Sequence, residues 1–184
     1  IWLDAHGDFN THLTTPSGNI HGMSLAALCG LGDPRLTALY DEPVPVIDPG
    51  KVAIIGARDL DLGEKDNLRS AGALVLSMEQ VDRIGMVAAL EQCIEQVSRD
   101  VDGIYLSMDL DALDPRFAPG VGTPVPGGLT YREGHLACEV VAETGKLIGM
   151  DVVEVNPILD EKNQTAKIAV EFACSALGSR VWQG

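Results

Sequence analysis

Five short stretches of the chain are predominantly and continuously apolar rather than alternating: Ile1–Leu3, Val52–Gly56, Ala73–Leu76, Ile104–Met108 and Leu147–Val155. A strand covered on one face alternates apolar with polar residues, whereas a strand covered on both reads as a continuous run. The five runs therefore predict strands of a buried, mostly parallel sheet. Helical spacing fills the gaps between them. Ser24–Leu31 is a short helical pattern, and Met86, Leu90, Ile94 and Val97 line one stripe of a helix over 86–97. Thr130–Thr144 opens on a threonine with Glu133 three residues on, the capping-box pattern of a helix start. Thr165–Leu177 is apolar on nearly every side, which predicts a helix packed inside the protein or an oligomer. Strands alternating with helices imply a three-layer α/β/α fold.

At 184 residues and 46% apolar composition, the chain reads as one domain over 1–184 with enough apolar mass for a core. No apolar run approaches the ~20 residues of a membrane span. The first predicted strand starts at Ile1 without a methionine, so further N-terminal strands are expected upstream of what this sequence holds. The formal net charge is −14, from 27 acidic and 13 basic residues. A surface of that sign disfavours nucleic acid and anionic membranes and favours cationic partners, either divalent metals or a positively charged substrate. Cys29, Cys93, Cys138 and Cys174 sit among small apolar neighbours with no C-x-x-C pair. They read as buried thiols of a reducing, cytoplasmic compartment.

Ligands of a parallel α/β sheet gather outside the carboxyl ends of its strands. The residues just past these runs are Asp4-Ala5-His6-Gly7-Asp8, then Arg58-Asp59-Leu60-Asp61, then Asp109-Leu110-Asp111, with Glu154 near the end of the last. In an extended segment alternate side chains share a side, so Asp4, His6 and Asp8 can point together, as can Asp109 with Asp111. Unpaired, such carboxylates repel, and divalent cations relieve that repulsion. Four aspartates and one histidine form a hard, oxygen-rich donor set, better suited to Mn²⁺ than to Zn²⁺. More carboxylates than one ion needs point to a two-metal site. The plainer alternative is a set of solvated aspartates at strand ends.

Leu3-Asp4-Ala5-His6-Gly7-Asp8 and Ser107-Met108-Asp109-Leu110-Asp111, continuing through Asp114-Pro115 and Ala118-Pro119-Gly120 to Gly127-Gly128, resemble signatures of the ureohydrolase family. Gly122-Thr123-Pro124, Gly128 through Glu133 and Glu154-Val155-Asn156-Pro157 extend the resemblance along nearly the whole chain, most closely to its arginase branch. That resemblance implies an α/β fold with a binuclear Mn²⁺ centre. Asp4 and Asp109 would bridge the ions. His6 and Asp111 would complete one site, and Asp8 would serve the other. The family's further ligand, a histidine in an upstream G-G-D-H motif, is absent here.

The same resemblance assigns the substrate contacts. Asn10, Ser17 and Asn19 match donors to an α-carboxylate, although Ser17-Gly18-Asn19 also reads as a simple turn. Asp61 with Glu64 would meet an α-ammonium, and Glu154 a guanidinium. His21 matches a proton shuttle, and Thr123 would support the nucleophile or substrate. His12 and His135 read as surface residues, Asp114 as a turn cap, and Arg58 as a brace for the site's carboxylates. The implied activity is hydrolysis of L-arginine to L-ornithine and urea by a manganese-activated hydroxide. The catalytic groups would be Asp8, His21 and Glu154. Relatives of this kind form trimers or hexamers, and the end at Gly184, without a longer tail, resembles bacterial members. Two alternatives remain open: action on agmatine or another guanidino substrate, and a non-catalytic metal-binding or partner subunit.

Overall fold

The computed structural model describes residues 1–38 and 46–182. Five parallel strands form one sheet in the order β3-β2-β1-β4-β5. They are β1 (Trp2–Leu3), β2 (Ala53–Ala57), β3 (Leu74–Ser77), β4 (Ile104–Asp109) and β5 (Leu147–Val153). The chain winds outward from β1 through β2 to β3. It then returns to the other side of β1 for β4 and β5. The order thus reverses between β1 and β4, and at such a switch point the loops leaving the two strands part to open a crevice. Trp2 pairs with Ser107, and Leu3 with Met108, across that line.

The helices are α1 (Ser24–Leu28), α2 (Pro34–Thr37), α3 (Leu62–Ala71), α4 (Met78–Ile84), α5 (Met86–Val97), α6 (Tyr131–Glu143) and α7 (Gln164–Ala176). Alternate residues of each strand face opposite ways. Leu3, Ile55, Leu106 and Met108 join a core with Leu90, Val141 and Phe172 from α5, α6 and α7. Ile54 and Ala57 join a second core with Leu25 and Ala26 of α1 and Leu68 of α3. The three-layer α/β/α reading therefore holds. Double cover weakens at the edge strand β5, where Ile148 is 74% exposed. There the second face is polar, with Tyr105 Oη and Ser107 Oγ both donating to Asp151.

The expected strands fall within one residue of these ranges, except that β5 ends at Val153 because Glu154 turns to φ +67°. The Thr130–Glu133 capping box is formed, with Thr130 N–H donating to Glu133 at 2.7 Å. Helices α3 and α4 lack a strong apolar stripe: of their apolar residues only Leu68 and Val81 are buried. Two cysteine and histidine readings need correction. Cys174 is exposed rather than buried. His135 is not a surface residue. It lies between α6 and α7, Nδ1 2.8 Å from Ser175 Oγ, with its ring edge-on to Tyr131 and Phe172.

Burial, with Arg132 nearby, holds His135 below the usual histidine pKa, against smaller opposing pulls from Glu139 and Glu171. The unfolded chain then takes up its proton first as pH falls through about 6.5, so this contribution is intact above that pH and lost below it. Between pH 7.5 and 5.5 the urea-unfolding midpoint should drop further for the native chain than for His135→Gln. Parallel curves for the two would refute the assignment.

Candidate metal and substrate site

The loop leaving β1 carries the first donors. Asp4 is 1% exposed; its Oδ2 accepts from the Trp2 indole N–H at 2.9 Å and its Oδ1 from the His6 amide at 2.6 Å. His6 Nδ1 lies 3.3 Å from Asp4 Oδ1 and 3.1 Å from Asp111 Oδ2. Asp111 is fully buried. It also accepts from the Ala5 amide at 3.2 Å and from the Thr123 hydroxyl at 2.9 Å. Ligand atoms of Asp4, His6 and Asp111 all lie within 4.8 Å of one another, the spacing of donors that can share an ion.

Asp8 and Asp109 are not part of that tight trio, but their side chains line the same crevice with His6, Asp111, Thr123, His21 and Glu154. Simple strand alternation does not bring the Asp4–Asp8 segment together. Past Leu3 it leaves the strand, and Asp8 takes a left-handed φ of +51°, its Oδ2 held by the Ser24 hydroxyl at 2.9 Å. Asp109 Oδ1 accepts from the Asp111 amide at 2.8 Å, which starts a 3₁₀ turn over Leu110–Ala112.

The electrostatics follow from packing carboxylates out of water. Burial, reinforced by Asp4 and Asp111, pushes the Asp109 carboxyl up to about 10. Burial and Asp4 push Asp8 to about 8, and burial pushes Asp4 to about 6. Burial opposes a charge on His6, yet the Asp111 and Asp4 carboxylates outweigh it and raise the imidazole to about 11. Burial likewise opposes the charge of Asp111, but the bond from His6 wins and lowers it. The cluster therefore draws in positive charge wherever it can. Four aspartates and one imidazole are a donor set that fits a hard divalent cation, so these residues fit the manganese that the resemblance implies.

A second, adjoining hollow of about 140 Å³ shares His6, Asp8, His21 and Thr123 with the first. Asn10, Ser17, Asn19, Asp61 and Glu64 line it. Asn10 is buried and donates to Asp61 Oδ2 at 2.9 Å. Glu64, 3% exposed, accepts from the Phe9 amide at 2.8 Å and the Asp61 amide at 3.2 Å, closing a capping box on α3. Its carboxylate thus ties the α3 start to the Asp8 loop as well as facing the hollow. Ser17 Oγ accepts from the Asn19 amide at 3.2 Å in an exposed turn with Gly18 at φ +77°. The turn reading and the binding reading of these residues are compatible.

Thr15 and Asp59 also line this hollow; the sequence places Asp59 only among the strand-end carboxylates and gives Thr15 no role. Asp59 alternates with Asp61, and Thr15 lies two residues before Ser17, so spacing could have found them. Arg58 braces the turn that carries Asp109 and Asp111, as expected, but through the backbone. Its guanidinium bonds backbone carbonyls rather than carboxylates, and Asp114 holds the turn it was assigned through the Arg116 and Gly127 amides.

The Arginase family model matches residues 1–178. The chain belongs to the arginase family. It is 52% identical over 181 residues to the arginase of Bacillus caldovelox and 50% to that of Brevibacillus brevis. Each comparison covers 98% of this chain and 60% of the relative. The solved structure of the B. caldovelox arginase superposes with a TM-score of 0.95, and that of Bacillus cereus arginase with 0.94 at 54% identity, 98% of this chain and 62% of that one. This arginase-family chain thus spans about three fifths of the length of the curated relatives it matches. Among the described residues no helix is long and apolar enough to cross a membrane.

Proposed function

We propose that this chain binds divalent manganese through Asp4, His6, Asp8, Asp109 and Asp111, and that the site hydrolyses L-arginine to L-ornithine and urea. The convergence of Asp4, His6 and Asp111 beneath a crevice lined by Glu154 carries this reading. The arginase-named relatives support it. Bound there, manganese would supply Lewis acidity and an activated water at neutral pH. The chain's own side chains supply the rest. Glu154 faces the crevice from the end of β5 and offers its carboxylate to the planar guanidinium by charge-assisted hydrogen bonds. Ser24 holds Asp8 at Oδ2, which leaves Oδ1 to accept a proton and pass it to the departing amine. His21 lines both hollows and is exposed, so it can exchange protons with solvent. Asn10, Ser17 and Asn19 would orient the α-carboxylate, and Asp61 with Glu64 the α-ammonium.

The test is urea release by the manganese-loaded chain from L-arginine and from agmatine, with arginine expected to be favoured. Ser17→Ala and Asn19→Ala should each raise the KM for arginine about tenfold to a hundredfold, the worth of a hydrogen bond to a charged group. Agmatine, which lacks the carboxylate, should be unaffected. Equal losses on both substrates would favour the agmatine or general guanidino reading. The other reading left open by the sequence is a metal-binding or partner subunit without turnover. Mn²⁺ binding with no urea from either substrate would establish it. We extend the proposal to a homo-oligomer, supported by Val170 and Leu177, which are 63% and 78% exposed on and just past α7, and to the cytoplasm, supported by the free thiols.

A further inference from the structure

We propose that Arg58 is a positioning residue whose guanidinium clasps the turn after β4 and the loop bearing Thr123 against the end of β2, and so sets the spacing of the cation-binding carboxylates. The proposal rests on the reading of those carboxylates as metal ligands. Arg58 Nη2 donates to Asp111 O at 2.7 Å, Leu113 O at 3.2 Å and Val125 O at 2.6 Å. Nη1 donates to Gly56 O at 3.1 Å and Ala112 O at 3.2 Å, and Nε to Val125 O at 3.1 Å. The backbone of the same residue reaches the loop after β1: Arg58 N–H donates to Ala5 O at 2.8 Å. One side chain and its own amide therefore tie together the Asp4–Asp8 loop, the end of β2, the Asp109–Leu113 turn and the segment just past Thr123.

The chemistry needs an arginine. A planar fork of five N–H donors can serve several carbonyls at once, whereas a lysine ammonium on a flexible stem cannot hold that geometry. Among the described residues the guanidinium forms no ion pair, so its charge acts on Asp111, Asp114 and Asp4 through space while its donors stay on the backbone. The surroundings are shaped to it. A Cβ at Gly128 would lie 2.5 Å from Arg58 Nη2 and 2.6 Å from Ala112 O, so only glycine leaves room for the clasp.

The experiment titrates Mn²⁺ into the native chain, Arg58→Lys, Arg58→Met and Gly128→Ala. Free Mn²⁺ is read by electron paramagnetic resonance at a temperature where circular dichroism shows each folded. Arg180→Met is the control. It too loses bonds to carbonyls, those of Glu139, Ser175 and Ser179, but remote from the site. Arg58→Lys and Gly128→Ala should each weaken Mn²⁺ binding about tenfold to a hundredfold, the usual effect of removing a group that orients metal ligands. Arg180→Met should leave it unchanged while lowering the melting temperature. The Leu113, Asp114 and Leu129 amides, bonded within the clasped turn, should exchange faster in Arg58→Lys. Native affinity in Arg58→Lys with a loss in Arg58→Met would overturn the clasp in favour of charge alone. Should the native chain bind no Mn²⁺, the metal reading fails by itself, and amide exchange decides the clasp: unchanged rates in Arg58→Lys overturn it. If the Arg58 variants do not fold, Gly128→Ala carries the same test.

Discussion

Asp111→Asn should abolish tight Mn²⁺ binding while the chain stays folded, whereas Asp111→Ala should lose both binding and stability. The asparagine keeps the volume, and its amide oxygen can still accept from the Ala5 amide. The Thr123 hydroxyl can rotate to accept from the new NH₂ group. The negative charge disappears from a residue with no solvent exposure, and His6 Nδ1, which met Oδ2 at 3.1 Å, now faces an NH₂ group from which it can accept only as a neutral imidazole. Alanine instead strands the buried Ala5 amide, at a cost of about 1–3 kcal/mol, and removes one of the two carboxylates beside His6, leaving it with Asp4 alone. Together that amounts to roughly 3–5 kcal/mol, the range for breaking a buried pair. Isothermal titration with Mn²⁺ and chemical denaturation separate the two effects. An asparagine variant that binds Mn²⁺ like the native chain would remove Asp111 from the metal site.

Glu154 should show the opposite trade between activity and stability. It is not glycine, yet it sits at φ +67°, a conformation that costs an L-residue about 1–2 kcal/mol. Its Oε2 lies 3.2 Å from where a Gly122 Cβ would stand, so the carboxylate is placed closely against that loop. Glu154→Gln removes the charge that would meet a guanidinium. It should cut kcat/KM for arginine by about 2–5 kcal/mol of binding, roughly thirtyfold to several thousandfold. Glu154→Gly should cut it at least as far yet raise Tm by about 2–4 °C as the backbone strain is released. A glycine variant that melts lower than the native chain would show that Glu154 contributes to folding more than it strains it.

The sheet and much of the site were legible in the sequence because each rests on local signals. A continuous apolar run marks a buried strand, and the acidic clusters stand at the ends of four such runs. Helices α3 and α4 escape a search for apolar stripes because their stabilising residues are caps. Ser77 and Gln80 cap α4, and Asp61 and Glu64 cap α3, although the sequence suggests only substrate contacts for the latter pair. What stayed hidden is set by partners distant in sequence. The bonds from Ser24 to Asp8 and from Thr123 to Asp111 depend on where loops fold back, and no pattern in either segment alone announces them. The Trp2–Asp4 bond joins near neighbours, but it requires the indole to turn toward the crevice. The charge of Arg58 suggests ion pairs with acids. Its position beneath the carbonyls of Asp111, Ala112 and Leu113 makes it brace the acids through their backbone instead.

The two-residue strand β1 lies at the centre of the sheet, flanked by partners about fifty and one hundred residues away in sequence. Closing such long loops is entropically slow, and little of the reward comes before both neighbours are in place. Asp4 and Asp111 cannot meet until that closure is made, so any ion they hold would bind late in folding and only the finished fold. Saturating Mn²⁺ should then slow unfolding far more than it speeds refolding.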